Sequence, residues 1–367
     1  MKHAIAGHKA VLVGPLPPPS GGMANQTQQL ARLLSTEGID VELVQVNAPY
    51  SPSWVAKYKI IRAFFRFLPY LRSLWRSTKR AQFVHVMANS GWAWHLFAAP
   101  AVWIARIHRK PVLINYRGGG AEAFFKRSFL FIKPTLKIAD AIVVPSGFLE
   151  KIFAKRGFKT VIIANIIDLQ RFIASSKAIN VSSPHIIVTR NLEPIYDIPT
   201  SLRAFAIVKQ NYPNARLSIA GSGPLLAELK NFARELGIEK QVSFVGRLDN
   251  ENIASLYHSA DIFLNSSLTD NMPISVLEAL ACAVPVVTSN VGGIPYLVEN
   301  EKSALLVSAG DHYAMAEAIK RLLSDPVLVS VLTTRGIEKA RQFSWENIRK
   351  QWLTIYFNLL KHREINC

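Results

Sequence analysis

Short apolar runs alternate with amphipathic stretches along nearly the whole chain, and the alternation happens twice. In the first half "KAVLVG", "VELVQV", "FVHVM", "PVLINY", "AIVVP" and "VIIAN" have strand length and little polarity. Between them lie stretches with helical spacing: one from Met23, a basic one over residues 54–80, one from about Trp92, and one after Gly120. The second half repeats the scheme with "HIIVTR", "ARLSIA", "VSFVG", "DIFLN", "PVVTS" and "ALLV". Its helices are expected near Thr200, from Pro224, near Asn252 and from Pro273. Strands apolar on both faces and separated by helices predict parallel sheets covered on both sides. A polar stretch, "DLQRFIASSKAINVSSP", divides the two runs. The pattern predicts an α/β chain of two Rossmann-like domains with a cleft between them.

Composition agrees with this and narrows it. A chain of 367 residues, half of them hydrophobic, has room for two ordinary cores and is not a disordered protein. Its two cysteines, Cys282 and Cys367, form no disulfide framework or metal spacing, which suits a reducing compartment. The opening "MKHAIAGHKAVLVGPLPPP" reads as a first strand rather than a signal peptide. The longest apolar candidate, Trp92 to Ala105, contains His95 and Pro100 and falls short of the roughly 20 residues a membrane helix needs. A cytoplasmic protein without a spanning segment is expected.

Charge adds a second theme. Lys and Arg number 43 against 25 acids, a net charge of +18. No acid occurs between Glu42 and Glu122, and residues 54–80 interleave basic with aromatic side chains. Tyr58, Ile61, Phe65 and Leu68 share one helical face, while Lys59, Arg62 and Arg66 lie on another. Pro69 is expected to break the run, with Arg72, Arg76, Lys79 and Arg80 resuming the basic face. Such a segment suits the surface of an anionic membrane. The competing reading is a helix pair whose apolar face is simply core. No recognised nucleic-acid module accompanies the charge, so nucleic acid is not an expected partner.

Ligands of parallel sheets sit beyond the carboxyl ends of the strands, where helix N-termini point. Four stretches fall there. "GPLPPPSGGMA" brings Gly21 and Gly22, "NYRGGGA" brings Arg117, and "AGSGPLLAEL" brings Gly221 and Gly223. Arg190 ends "HIIVTR", where a guanidinium fork fits phosphate oxygens, although a lone strand-end arginine is more often a solvated charge. The fourth stretch is "DNMPISVLEAL". Pro273 fits the first turn of a helix, with Asn271 a better cap than Asp270. Glu278 shares an apolar face with Ile274, Leu277 and Ala281, where an unpaired carboxylate is costly. It lies roughly 7–8 Å along the helix from Pro273. That is about the distance from a diphosphate to the diol of an attached ribose. A buried salt bridge is the plainer alternative.

At this point the sequence resembles the retaining GT-B glycosyltransferases of the glycosyl transferases group 1 family. Their signature, Glu-x7-Glu followed by Ala-x-Ala-x-Gly-x-Pro-Val-Val and a Gly-Gly loop, stands here as "DNMPISVLEALACAVPVVTSNVGGIP". "PPSGGMANQTQQLARLL", "IIANIIDLQRF", "LSIAGSGPLLAEL" and "FSWENIRKQWLTIYFNLL" resemble the family's N-terminal glycine loop, domain junction, Gly-x-Gly-Pro turn and returning C-terminal helix. The resemblance implies an acceptor-binding domain over residues 1–170, a nucleotide-sugar-binding domain over 171–343, and a helix over 344–367 packing back on the first. Their sheets would face each other across the cleft.

Carried over by position, Glu278 would bind the ribose and Asp270 the donor sugar hydroxyls. The amides of Asn271, Met272 and Ile274 around Pro273 would face the diphosphate, with Arg190 on its oxygens. Asp270, Arg190 and Glu278 would thus carry the catalysis. Gly22, beside Gly21, would stand where donor phosphate and acceptor meet. There are four departures. Asp270 replaces the usual first Glu, Ile195 and Tyr196 stand where a lysine is usual, and no histidine is evident in "INYRGGG". Ala283 replaces a common glycine, read as a packing difference. Arg117 or Arg247 is expected to make up the lost charge.

The implied reaction moves a sugar, with retention, from a nucleotide-diphosphate sugar to a hydroxyl of a saccharide or lipid-linked acceptor in cell-surface polysaccharide or glycolipid synthesis. No Asp-x-Asp occurs, so no metal or other cofactor is expected. With the basic segment, this places the protein peripherally on the inner face of the cell membrane. An oxidoreductase would need a complete Gly-x-Gly-x-x-Gly after a strand, which neither half has. A non-catalytic membrane-surface protein on the same scaffold is the remaining alternative.

Overall fold

The computed structural model describes residues 5–19, 21–49, 59–175 and 177–365. The chain divides into two compact units, Met1–Ile166 with Ile348–Cys367, and Ile167–Asn347. The first unit contains β1 (Lys9–Gly14), α1 (Gly22–Thr36), β2 (Asp40–Gln45), α2 (Lys59–Arg80) and β3 (Phe83–Ala88). A π-helical turn (Trp94–Ala98) leads into α3 (Ala99–Ile107), followed by β4 (Val112–Tyr116), α4 (Ala121–Lys137), β5 (Ala141–Val144), α5 (Gly147–Ala154) and β6 (Val161–Ile162). These six strands pair in parallel in the order β2-β1-β3-β4-β5-β6. β3 and β4 are buried along their whole length, as strands covered on both faces must be. From Ile348 onward α13 (Trp345–Ile365) belongs to this unit, and its Tyr356 stacks on Phe83 with ring centroids 4.9 Å apart.

The second unit runs β7 (His185–Thr189), α6 (Ile198–Asn211), β8 (Arg216–Ala220), α7 (Leu226–Glu235), β9 (Val242–Gly246) and α8 (Asn250–Ser259). It continues with β10 (Ile262–Asn265), α9 (Ile274–Ala281), β11 (Val286–Ser289), α10 (Ile294–Leu297), β12 (Leu305–Val307), α11 (His312–Ser324) and α12 (Pro326–Arg341). Its sheet is parallel in the order β12-β11-β10-β7-β8-β9. The order reverses between β10 and β7, the place where sheets of this kind take ligands beyond the carboxyl ends of the strands. Loops from the two strands meet there.

The structure corrects one expected element. Residues 59–80 form one continuous helix through Pro69 rather than two segments broken there. Pro69 is exposed, so the carbonyl it leaves unbonded, that of Phe65, can turn to water. Tyr70 and Leu74 pack into the core, while Phe65, Leu68 and Trp75 are exposed. Tyr58 lies outside the described residues, as does Cys367. Among the described residues no helix is long and apolar enough to cross a membrane.

Candidate functional site

Arg190 leaves the end of β7 and is nearly withdrawn from water, its side chain only 12% exposed. Its Nε donates to Asn265 Oδ1 at 3.0 Å, at the end of β10, and Nη2 to Ser267 Oγ at 3.4 Å. Nη2 also pairs with the Asp270 carboxylate. The Tyr196 ring covers one face of the guanidinium, 4.7 Å from its carbon. Arg190 is therefore no solvated strand end. It is a braced cation, and Tyr196, standing where a lysine was expected to be missed, supplies packing and not charge.

Asp270 is held from three sides. Besides Arg190, Oδ1 accepts the Asn271 N–H at 2.9 Å and Oδ2 the Ser267 hydroxyl at 3.4 Å. The loop is clamped by the Gly-Gly pair: a Cβ at Gly292 would lie 2.0 Å from the Asp270 carbonyl oxygen, and one at Gly293 1.7 Å from that of Asn271. Only glycine permits this approach. Gly221 plays the same part for the strand end, since a Cβ there would lie 1.9 Å from the Arg190 carbonyl oxygen. The first of the Gly-x-Gly glycines thus shapes a backbone contact.

α9 starts one residue later than expected. Pro273 is its N-cap, Ile274 its first residue, and no side chain caps it. Asn271, buried with Met272, is not the cap, because the extended Pro273 lies between it and the helix. The helix begins four residues after Asp270, so its unpaired first-turn amides follow directly on the loop that Arg190 braces.

Glu278 lies on α9 and is partly buried. Its Oε2 accepts the Tyr257 hydroxyl at 2.9 Å, and among the described residues it has no ion-pair partner. The salt-bridge alternative therefore fails. Tyr257, from α8, is fully buried, and its oxygen lies 2.6 Å from Thr189 Oγ1 and 3.1 Å from the Ser275 carbonyl. Loss of water raises the Glu278 pKa to about 7, against the lowering influence of the Tyr257 hydrogen bond, Arg190 and Arg171.

Sequence reading did not find Tyr257, Asn265 or Ser267. The signal is positional for only two of them: Asn265 ends β10 and Ser267 follows it where the strand order reverses, whereas Tyr257 lies on the helix that leads into β10. The other predicted residues lie elsewhere. Arg247 is exposed after β9, two strands from β7. Gly21 and Gly22, at the start of α1, and Arg117, after β4, belong to the first unit.

Ala283 is also explained differently. It follows the C-cap of α9 with φ +59°, the left-handed conformation that ends helices and favours glycine. The departure is a backbone cost, not a packing difference. Ala283→Gly is expected to raise stability by about 1 kcal/mol, read from urea unfolding. An unchanged or lower midpoint would show that the turn is not strained.

Against known proteins, the family model described as Glycosyl transferases group 1 matches residues 170–343, and that of Glycosyltransferase Family 4 matches residues 20–171. An N-acetyl-alpha-D-glucosaminyl L-malate synthase of Bacillus anthracis is 32% identical over 178 residues, 48% of this chain and 45% of its own. A D-inositol 3-phosphate glycosyltransferase of Corynebacterium urealyticum is 33% identical over 165 residues, 43% and 39% of the two chains. The match thus spans less than half the length of these relatives. Among solved structures, a sucrose-phosphate synthase from Thermosynechococcus elongatus superposes with a TM-score of 0.76 at 21% identity, covering 97% of this chain and 100% of its own. Anabaena HepE, solved with UDP-glucose, gives 0.73 at 18%, covering 95% and 99%. These likenesses establish the fold, a GT-B architecture of two α/β units.

Proposed function

The chain belongs to the glycosyl transferases group 1 family, and from that premise we propose that it moves a sugar from a nucleotide-diphosphate sugar to an acceptor hydroxyl. One observation carries the reading: Arg190, Asp270, the uncapped start of α9 and Glu278 come together where the strand order reverses. The spacing suits a donor laid along α9. The diphosphate meets the helix N-terminus and Arg190, the ribose meets Glu278, and the sugar meets Asp270. As the sugar–phosphate bond breaks, negative charge grows on the diphosphate, where fixed amides and a guanidinium stabilise it without reorganising. The sugar keeps its anomeric configuration, and the departing phosphate takes the proton of the incoming hydroxyl on the same face. We assign no metal, since cationic groups already meet the developing charge. The acceptor is a lipid-linked saccharide of cell-surface polysaccharide or glycolipid synthesis, met at an anionic membrane surface. Support for that part comes from the basic, aromatic-rich face of the first unit.

A panel of nucleotide sugars, read by thermal stabilisation and then by anomeric analysis of the product, tests the reading. Stabilisation by none of them, or an inverted product, would overturn it.

Arg190 carries a separate expectation. Arg190→Lys keeps the charge but loses the planar fork that spans Asn265, Ser267 and Asp270. Turnover is expected to fall about ten- to a hundredfold, with the donor KM rising less. Normal kcat in the lysine variant would mean that another group holds the diphosphate.

A further inference from the structure

The first unit contains a cation that no described residue around it neutralises. Arg117 follows β4 at the carboxyl edge of the sheet, where its backbone N–H donates to the Ala88 carbonyl of β3 at 2.9 Å. Its Nε donates to Asn115 Oδ1 at 3.2 Å and its Nη1 to Asn165 Oδ1. Asn115 Nδ2 in turn lies 3.1 Å from His85 Nε2, and His85 Nδ1 lies 2.8 Å from the Tyr356 hydroxyl. With Asn115 as donor, the His85 proton sits on Nδ1 and points to Tyr356.

Every partner of Arg117 in this network is neutral. Asn115 and Asn165 are amides, and burial holds the His85 pKa down to about 3, with the nearby Arg117 charge acting the same way. Burial likewise keeps Tyr356 protonated. Among the described residues no carboxylate lies within ion-pair distance of Arg117, and its Nη2 has no acceptor. Desolvation draws the guanidinium down to about 10.

A guanidinium withdrawn from water needs a counter-charge, and holding two amides does not require one. Arg117 as a residue is of intermediate exposure rather than sealed into the core. We infer that Arg117 receives an anionic group, a phosphate or a carboxylate, carried by the acceptor substrate. This rests on the reading of the chain as a glycosyltransferase whose first unit takes the acceptor. The anion supplies the missing charge, and Nη2 with the free Nη1 hydrogen presents the paired donors that such oxygens accept.

The test uses the full chain, with and without saturating uridine diphosphate, titrated with inorganic phosphate, glucuronate or glucose at constant ionic strength. Melting temperature is the readout. At least one of the two anions is expected to stabilise the wild type, and glucose is not. The responding anion distinguishes a phosphate-bearing from an acid-sugar acceptor. Arg117→Gln is expected to weaken the response at least tenfold, and Arg117→Lys several-fold because the fork is lost. Should the glutamine variant fail to fold, the lysine variant decides. Indifference of the wild type to both anions, or a wild-type response in the variant measured, would overturn the assignment. Absence of a uridine diphosphate effect would count against the donor reading alone, because the titrations without nucleotide still judge Arg117.

Discussion

Glu278→Gln is expected to weaken nucleotide-sugar binding by roughly 3–5 kcal/mol, a hundredfold to several thousandfold, while the protein stays folded. One carboxylate oxygen already accepts the Tyr257 hydroxyl, and among the described residues no cation lies within ion-pair distance of the other. Two vicinal ribose hydroxyls would each find an ionised acceptor there. A glutamine side chain offers one acceptor and turns a pair of donors toward the diol, so at least one bond is lost and a clash of donors replaces it.

The pKa of about 7 gives this prediction a pH signature. Donor binding selects the ionised form, so affinity should fall about tenfold between pH 8 and pH 6. Glu278→Gln should flatten that dependence. Stability runs the other way. The folded pKa lies above the ordinary 4.5, so the favourable contribution is present below that value and is lost as pH rises through about 7. The glutamine variant should therefore melt above the wild type at pH 8. Wild-type donor affinity in a folded glutamine variant would remove Glu278 from the donor site. A pH profile unchanged by the substitution would trace the dependence to another group.

What could be read from the chain, and what could not, follows from the range of the interactions. Strands such as "FVHVM" and "PVLINY" announce themselves because both faces are covered and nearly every residue must be apolar. Arg190, Asp270 and Glu278 were legible for the opposite reason, as charged groups at positions where sequence alone gives them no local partner. Their partners were not legible. Asp270 bonds Arg190, 80 positions away, and Glu278 bonds Tyr257 on a different helix, pairings set only by strand order. Pro69 reads as a break in the sequence because local rules apply to a helix interior in general. An exposed carbonyl one turn earlier lets this helix continue. The unneutralised state of Arg117 could not be anticipated either, since it depends on which side chains the fold leaves out of its surroundings.

Reversing the charges of Arg72, Arg76 and Lys79 to glutamate is expected to abolish binding to anionic vesicles. All three are exposed on α2, beside the exposed Trp75. α2 packs against α3, and α3 against α4, which carry the exposed Trp103, Ile107, Leu130 and Phe131. Leu130 and Phe131 are 82% and 77% exposed, with Lys126, Arg127 and Lys133 on the same helix. Large apolar side chains set among cations and left in water are the arrangement an anionic lipid surface satisfies. Arg66 is a poorer choice than sequence implied, because its Nε donates to the Ala48 carbonyl at 3.1 Å. At about 1 kcal/mol for each basic residue near such a surface, the triple reversal removes about 3 kcal/mol of attraction and adds repulsion of similar size. Added salt should weaken wild-type binding in the same direction. Leu130→Ser with Phe131→Ser should reduce it less steeply with salt, since insertion is apolar. Co-sedimentation with neutral and with anionic vesicles separates the possibilities. If the wild type ignores both kinds, the face serves something other than a membrane. If the triple reversal still binds anionic vesicles, the cations of α2 are not what holds the protein there.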